Sequence, residues 1–342
     1  MHFDYNFNIQ GLIAIAPTID QYKPTNKSVV LEDVNYLIIH GSNDQDLYNF
    51  SGIKQYKNIH FTGEGQYLKT ALYCAGCNHG QFNSRWGLYD QSGFYTHVLN
   101  VKNFVSERNQ QRIAEIFIKT FLDCSLKKDT THIGLLEDYA RYRAYLPETL
   151  YVQSYQTSNF TTLCNFEEDT SLVTGTLEGV TLEVEGGNVW TEGLYPTEAA
   201  QSNSAVYLHW NITKPTLKIM TPAFNIKDGA LQFDIMNLQE KFEEDKAQLL
   251  EGRIKVIDGA NQEAEVSLGE NATIYPAFLV RLNKLQYILN EKEYKHQFQT
   301  VSIPSEQFKA NNKAIDLTQI VEIQISFVNQ SGVVALDEIG YE

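Results

Sequence analysis

The sequence predicts two architectures in series, an incomplete parallel α/β sheet followed by an all-β sandwich. Three observations predict it. Largely apolar runs at 11–16, 34–40 and 68–75, without clean alternation, suit strands covered on both faces. An amphipathic stretch at about 106–123 sets Ile113, Phe117, Thr120 and Phe121 on one helical face, with Glu107, Arg108, Gln111 and Glu115 on the other. From residue 151 the apolar period becomes two, as in Thr181-Leu182-Glu183-Val184-Glu185 and Arg253-Ile254-Lys255-Val256-Ile257.

Taken in order, residues 1–10 are polar and aromatic and read as a connection into the first apolar strand, which Pro17 ends. A mixed segment, 47–59, reads as one helix between the second and third strands. Residues 1–124 thus form the α/β part. Residues 125–150 change texture and read as a helical connector, with Leu135, Leu136 and Tyr139 apolar at helical spacing and able to pack on the first part. Residues 151–342 hold about nine or ten short strands separated by turns such as Asp258-Gly259 and Ser331-Gly332, the pattern of a jelly-roll β-sandwich.

Bulk properties bound the function. The 342 residues suffice for two domains, and 43% hydrophobic with 12% aromatic residues exclude general disorder. A formal net charge of -15 argues against nucleic acid or an anionic membrane as main partner, since both select clustered Lys and Arg. The first apolar run is too short for a signal peptide or a membrane span, so no signal peptide and no span are expected; localisation stays open, with a secreted or periplasmic parent as one alternative. Cys74-x-x-Cys77 lacks a second pair at metal-site spacing, and Cys124 and Cys164 stand alone; buried thiols are expected, with a disulfide and an oxidising compartment as the alternative, and with no metal and no cofactor.

Chemistry concentrates at two strand ends. Ile38-Ile39-His40-Gly41-Ser42-Asn43-Asp44-Gln45-Asp46 closes the second strand with an acid-bearing turn, and Cys77-Asn78-His79-Gly80-Gln81-Phe82-Asn83 follows the third. A carboxylate that fixes a histidine tautomer, and a histidine that accepts a proton, are two members of an acyl-transfer triad. Active sites of open α/β sheets lie at the carboxyl edge of the strands, where Asp44 and His79 can meet. Asp46 competes with Asp44 for the acid role or caps the next helix. His40 reads as a strand-end packing residue, and Trp86 and Phe82 as walls of a substrate pocket.

This ordered set of strand, acid turn, strand, histidine loop and helix resembles the last three strands of the α/β-hydrolase fold. The match is to relatives of the dienelactone-hydrolase, platelet-activating-factor acetylhydrolase and cutinase-like esterase type, on His40 to Asp44, on His79 with Phe82-Asn83, and on Ile15-Ala16-Pro17. The resemblance covers about residues 1–123 and implies serine-esterase chemistry with Asp44 and His79 as acid and base. It also implies a serine in a Gly-x-Ser-x-Gly elbow, and that pentapeptide is absent from the sequence. Before Asp44 the only serines are Ser28 and Ser42, neither flanked as an elbow requires. The expectation is therefore a partial esterase, inactive alone, that would need a complementary N-terminal chain or a second copy of itself to act on a small-molecule or polymeric ester. The alternative is a non-catalytic glycan-binding or structural protein working through its sandwich. The closing strands, with Val334-Ala335-Leu336-Asp337-Glu338-Ile339-Gly340, resemble galactose-binding-like and carbohydrate-binding jelly rolls. There Trp190 and Trp210, with Tyr195 and Tyr207, are the candidate sugar platform.

Overall fold

A computed structural model describes residues 9–19, 29–63, 65–169, 171–187, 189–191, 204–239 and 249–342. The fold is mostly β with few helices and divides into two compact units, residues 1–158 with 280–293, and residues 159–279 with 294–342.

In the first unit, strands Gly11–Ile15, Asn35–Gly41 and Leu68–Cys74 lie side by side and parallel, in sequence order. Every residue of the second and third strands is buried, and the polar Asn35, Lys69 and Thr70 among them donate to the carbonyls of Gln10, Ile59 and Leu136. Gly11–Ile15 is the edge, and only half-buried. Helix Glu107–Lys127 lays Ile113, Phe117 and Phe121 on Leu37, Ile39 and Leu72, each of these six at most 1% exposed. Burial of that kind stabilises by about 1.5–3 kcal/mol per large side chain. The Ser106 hydroxyl accepts from the Asn109 N–H at the helix start, and Lys128, at φ 58°, turns the chain out at its end.

Two boundaries differ from the sequence reading. Strand Tyr151–Thr157, assigned above to the sandwich, pairs antiparallel with Leu68–Cys74 and becomes the fourth strand of the first sheet. Local pattern does not say which sheet a strand joins. Residues 280–293, deep in the nominal sandwich, also belong to the first unit, where Lys284 N–H donates to the Val98 carbonyl and Asn100 N–H to that of Leu282. Within 125–150, Leu135, Leu136 and Tyr139 join the core of the first unit with the long helix. The helix expected over 47–59 is confined to Ile53–Lys57.

The second unit is a β-sandwich of two antiparallel sheets. One runs Gln299–Pro304, Ala230–Asn237, Gly332–Tyr341, Val206–Trp210, Val189–Thr191, with Thr161–Cys164 paired onto the end of Gly332–Tyr341. The other runs Glu263–Ser267, Gly252–Asp258, Ile320–Phe327, Thr216–Phe224, Thr181–Glu185. Inward residues alternate along the strands, as Ile254 and Val256 do between half-buried or exposed neighbours. Phe233, Leu336, Ile323 and Trp210 are all 0% exposed in the core between the sheets.

Candidate active site

The carboxyl ends of the second and third strands are locked together by backbone. Ser42 N–H donates to the Cys74 carbonyl at 2.8 Å and Asn43 N–H to that of Cys77 at 2.9 Å. Gly41 makes this possible, since a Cβ there would stand 2.2 Å from the Cys77 oxygen. Gly76, at φ +72°, turns the loop and donates its N–H to the Ser42 hydroxyl. That hydroxyl in turn donates to Asn43 Oδ1, so Ser42 is a structural hydroxyl of the turn.

On this frame Asp44 and His79 meet. His79 Nδ1–H donates to Asp44 Oδ2 at 2.9 Å. The carboxylate is fully buried, and its other oxygen accepts from the N–H of Asp46 at 2.9 Å and of Leu47 at 2.6 Å. Asp44 is thus both turn-former and histidine partner. Asp46 lies on the other side of the ring, 3.9 Å from Nε2, with its side chain half-exposed. It does not cap a helix, because the next helix begins at Ile53.

The hydrogen bond to Asp44 raises the His79 pKa above the ordinary histidine value; partial burial opposes this, and the charges of Asp44, Asp46 and Asp90 add to it. With Nδ1–H held, the neutral ring presents Nε2 as a proton acceptor. Among the described residues no hydroxyl or thiol hydrogen-bonds Nε2. His40 is buried beside Phe50 and Tyr73, which stack on each other, with Nε2 3.0 Å from the Leu47 carbonyl oxygen.

Trp86 stacks on the His79 ring, centroids 5.8 Å apart and planes 4° from parallel, and is 63% exposed. Phe82 instead packs against the core of the first unit, lining a groove with Ile15, Ala114 and Ile118. Cys74, Cys77, Cys124 and Cys164 are free and buried, and burial pushes the Cys74 thiol well up. Among the described residues no cluster of His, Cys, Asp or Glu is arranged to hold a metal ion, and no helix is long and apolar enough to cross a membrane.

One acid escaped the sequence reading. Asp90 accepts from the N–H groups of Gln45, His79 and Gly80 and from the Asn78 amide. Its neighbours Trp86-Gly87-Leu88-Tyr89 form no motif; the available signal is the polar run Asn78, His79 and Gln81 beside apolar strands, which demands partners once buried.

In the sandwich the sugar platform loses a member. Trp210 is 0% exposed, stacked on Phe327 with centroids 5.0 Å apart, and its indole N–H donates to the Asn329 carbonyl. On an alternating strand its position faces inward with Val206 and Leu208, so it is a core residue. Tyr195 and the Trp190 side chain lie outside the described residues.

No protein-family model and no curated protein matches the chain. Solved structures similar to it include carbohydrate-binding modules, agarases and an adhesin domain. A family 30 carbohydrate-binding module is 13% identical, over 47% of this chain and 76% of its own, with a TM-score of 0.31. A family 11 carbohydrate-binding module of a cellulosomal cellulase of Clostridium thermocellum is 14% identical, over 54% and 94%, with a TM-score of 0.30. The K1 cleaved adhesin domain of Lys-gingipain from Porphyromonas gingivalis is 15% identical, over 53% and 98%, with a TM-score of 0.29. At such scores the likeness carries no argument about function.

Proposed function

We propose that the chain is non-catalytic by itself, a β-sandwich joined to a unit that holds the acid and the base, but not the nucleophile, of an ester hydrolase. The observation that supports the hydrolase half is the 2.9 Å contact between His79 Nδ1 and the fully buried Asp44 carboxylate, with no hydroxyl or thiol of the described residues bonded to Nε2. In this reading Asp44 fixes the tautomer and stabilises the imidazolium, while His79 takes the proton of a nucleophile and returns it to the leaving group. The nucleophile comes from a polypeptide outside this sequence, because none of its serines sits in a Gly-x-Ser-x-Gly elbow. Trp86 forms one wall beside His79.

A fluorophosphonate probe, which traps an activated serine, tests the absence of a nucleophile. The purified chain should stay unlabelled at probe concentrations that label a complete serine esterase stoichiometrically. Stoichiometric labelling would contradict the proposal, and the labelled peptide would name the missing residue.

A second reading gives the work to the sandwich as a glycan-binding module. Its support is the two-sheet architecture, of the kind that carbohydrate-binding modules use. Against it, Gln232, Asp234 and Met236, which alternate with the core residues of Ala230–Asn237, are themselves at most 4% exposed, leaving no open platform on that strand. Saturable binding on a glycan array, retained in His79→Gln, would favour this reading.

A further inference from the structure

We infer that Asp90 is a positioning residue for the Asp44–His79 pair, one carboxylate that ties the acid turn to the histidine loop. The inference rests on the hydrolase reading of that pair and deepens it.

Each Asp90 oxygen bonds twice. Oδ2 accepts from Gln45 N–H at 2.8 Å and from His79 N–H at 3.1 Å. Oδ1 accepts from the Asn78 side-chain amide at 2.7 Å and from Gly80 N–H at 2.7 Å. A carboxylate offers about four lone-pair sites, and here all four are used. The donors belong to two loops far apart in sequence. Gln45 directly follows the acid, and Asn78, His79 and Gly80 are the histidine and its two neighbours. Oδ2 alone spans both loops, so a movement of either is resisted by the other.

The chemistry explains why an acid stands there. Three backbone N–H groups and an amide converge on one point, a nest that would be costly to bury empty. Burial pushes the Asp90 carboxyl up while the N–H groups of Gln45, Gly80 and His79 hold it down. Its charge also adds to those that favour protonated His79. The Gln45 side chain extends the brace, its amide donating to the carbonyls of Asn100 at 2.9 Å and Leu282 at 2.5 Å, the second from the 280–293 segment. The acid turn is therefore held on both sides, through its backbone by Asp90 and through a side chain by 100 and 282.

Asp90→Asn is the discriminating change. It keeps the shape but leaves one acceptor oxygen, and turns an NH2 toward two N–H donors that need an acceptor. The readout is the His79 Nδ1–H proton in the full chain, a downfield NMR signal that a strong bond to Asp44 protects from exchange, assigned by its loss in His79→Gln. Wild type should show it, Asp44→Asn should lose it, and Asp90→Asn should lose or broaden it while amide signals of the sandwich stay in place. A signal unchanged in Asp90→Asn but lost in Asp44→Asn overturns the role of Asp90 and leaves the pair intact. A signal absent from wild type, or retained in Asp44→Asn, overturns the pair itself and the inference with it. Should Asp90→Asn not fold, Asp90→Glu is read the same way. It keeps both oxygens on a longer arm, so a shifted or weakened signal supports the role and an unchanged one overturns it.

Discussion

Trp210→Ala should destabilise the second unit by about 3–5 kcal/mol, the range for emptying the site of a fully buried large aromatic side chain. Three contacts make the loss hard to absorb. The indole stacks on Phe327, its N–H satisfies the Asn329 carbonyl, and it fills the space over Gly332, where a Cβ would come within 2.3 Å of the ring. The neighbours cannot close in, because Leu208 and Gly332 are held in register across strands Val206–Trp210 and Gly332–Tyr341. Denaturant unfolding followed by hydrogen exchange at amides of Gly332–Tyr341 measures it. A change below about 1 kcal/mol would place Trp210 outside the core and return it to the candidate platform.

Asp44→Ala should cost the first unit about 2–4 kcal/mol, because it strands the N–H groups of Asp46 and Leu47 and the His79 Nδ1–H in a buried turn. The loss should depend on pH. His79 carries a raised pKa in the folded chain, so its proton adds stability that is fully present below the unfolded histidine value and is lost as pH rises through the folded value. The stability gap between wild type and Asp44→Ala should accordingly be widest below about pH 6.5 and narrow above it. Urea unfolding of both proteins across that window measures this. A gap that widens with pH would mean that Asp44 does not hold the histidine proton.

Where periodicity and turn chemistry decide a feature, the sequence is a good guide. Strands Asn35–Gly41 and Leu68–Cys74, the apolar face of Glu107–Lys127 and the alternating strands of the sandwich all follow from local pattern. Pairing is a different matter. Tyr151–Thr157 opens the stretch read as the sandwich yet joins the parallel sheet, and 280–293 leaves the sandwich for the first unit, since long-range partners leave no mark on a short segment. Burial direction also escapes local reading. Trp210 on an alternating strand is equally well a platform or a core residue until its facing sheet is known. At the site, the Gly-Ser-Asn turn and the small-residue histidine loop announce Asp44 and His79, because the chain must bend sharply there. Asp90 itself carries no local motif, its part being to collect N–H groups that only the folded loops bring together.

The pairing of Asp44 with His79 carries the account, and the NMR titration of the His79 ring in the full chain tests it most directly. The His79 midpoint should lie above the ordinary histidine value of about 6.5 in wild type and fall in Asp44→Asn, where the neutral amide no longer favours the imidazolium. A midpoint at or below the ordinary value that Asp44→Asn leaves unmoved would contradict the pairing.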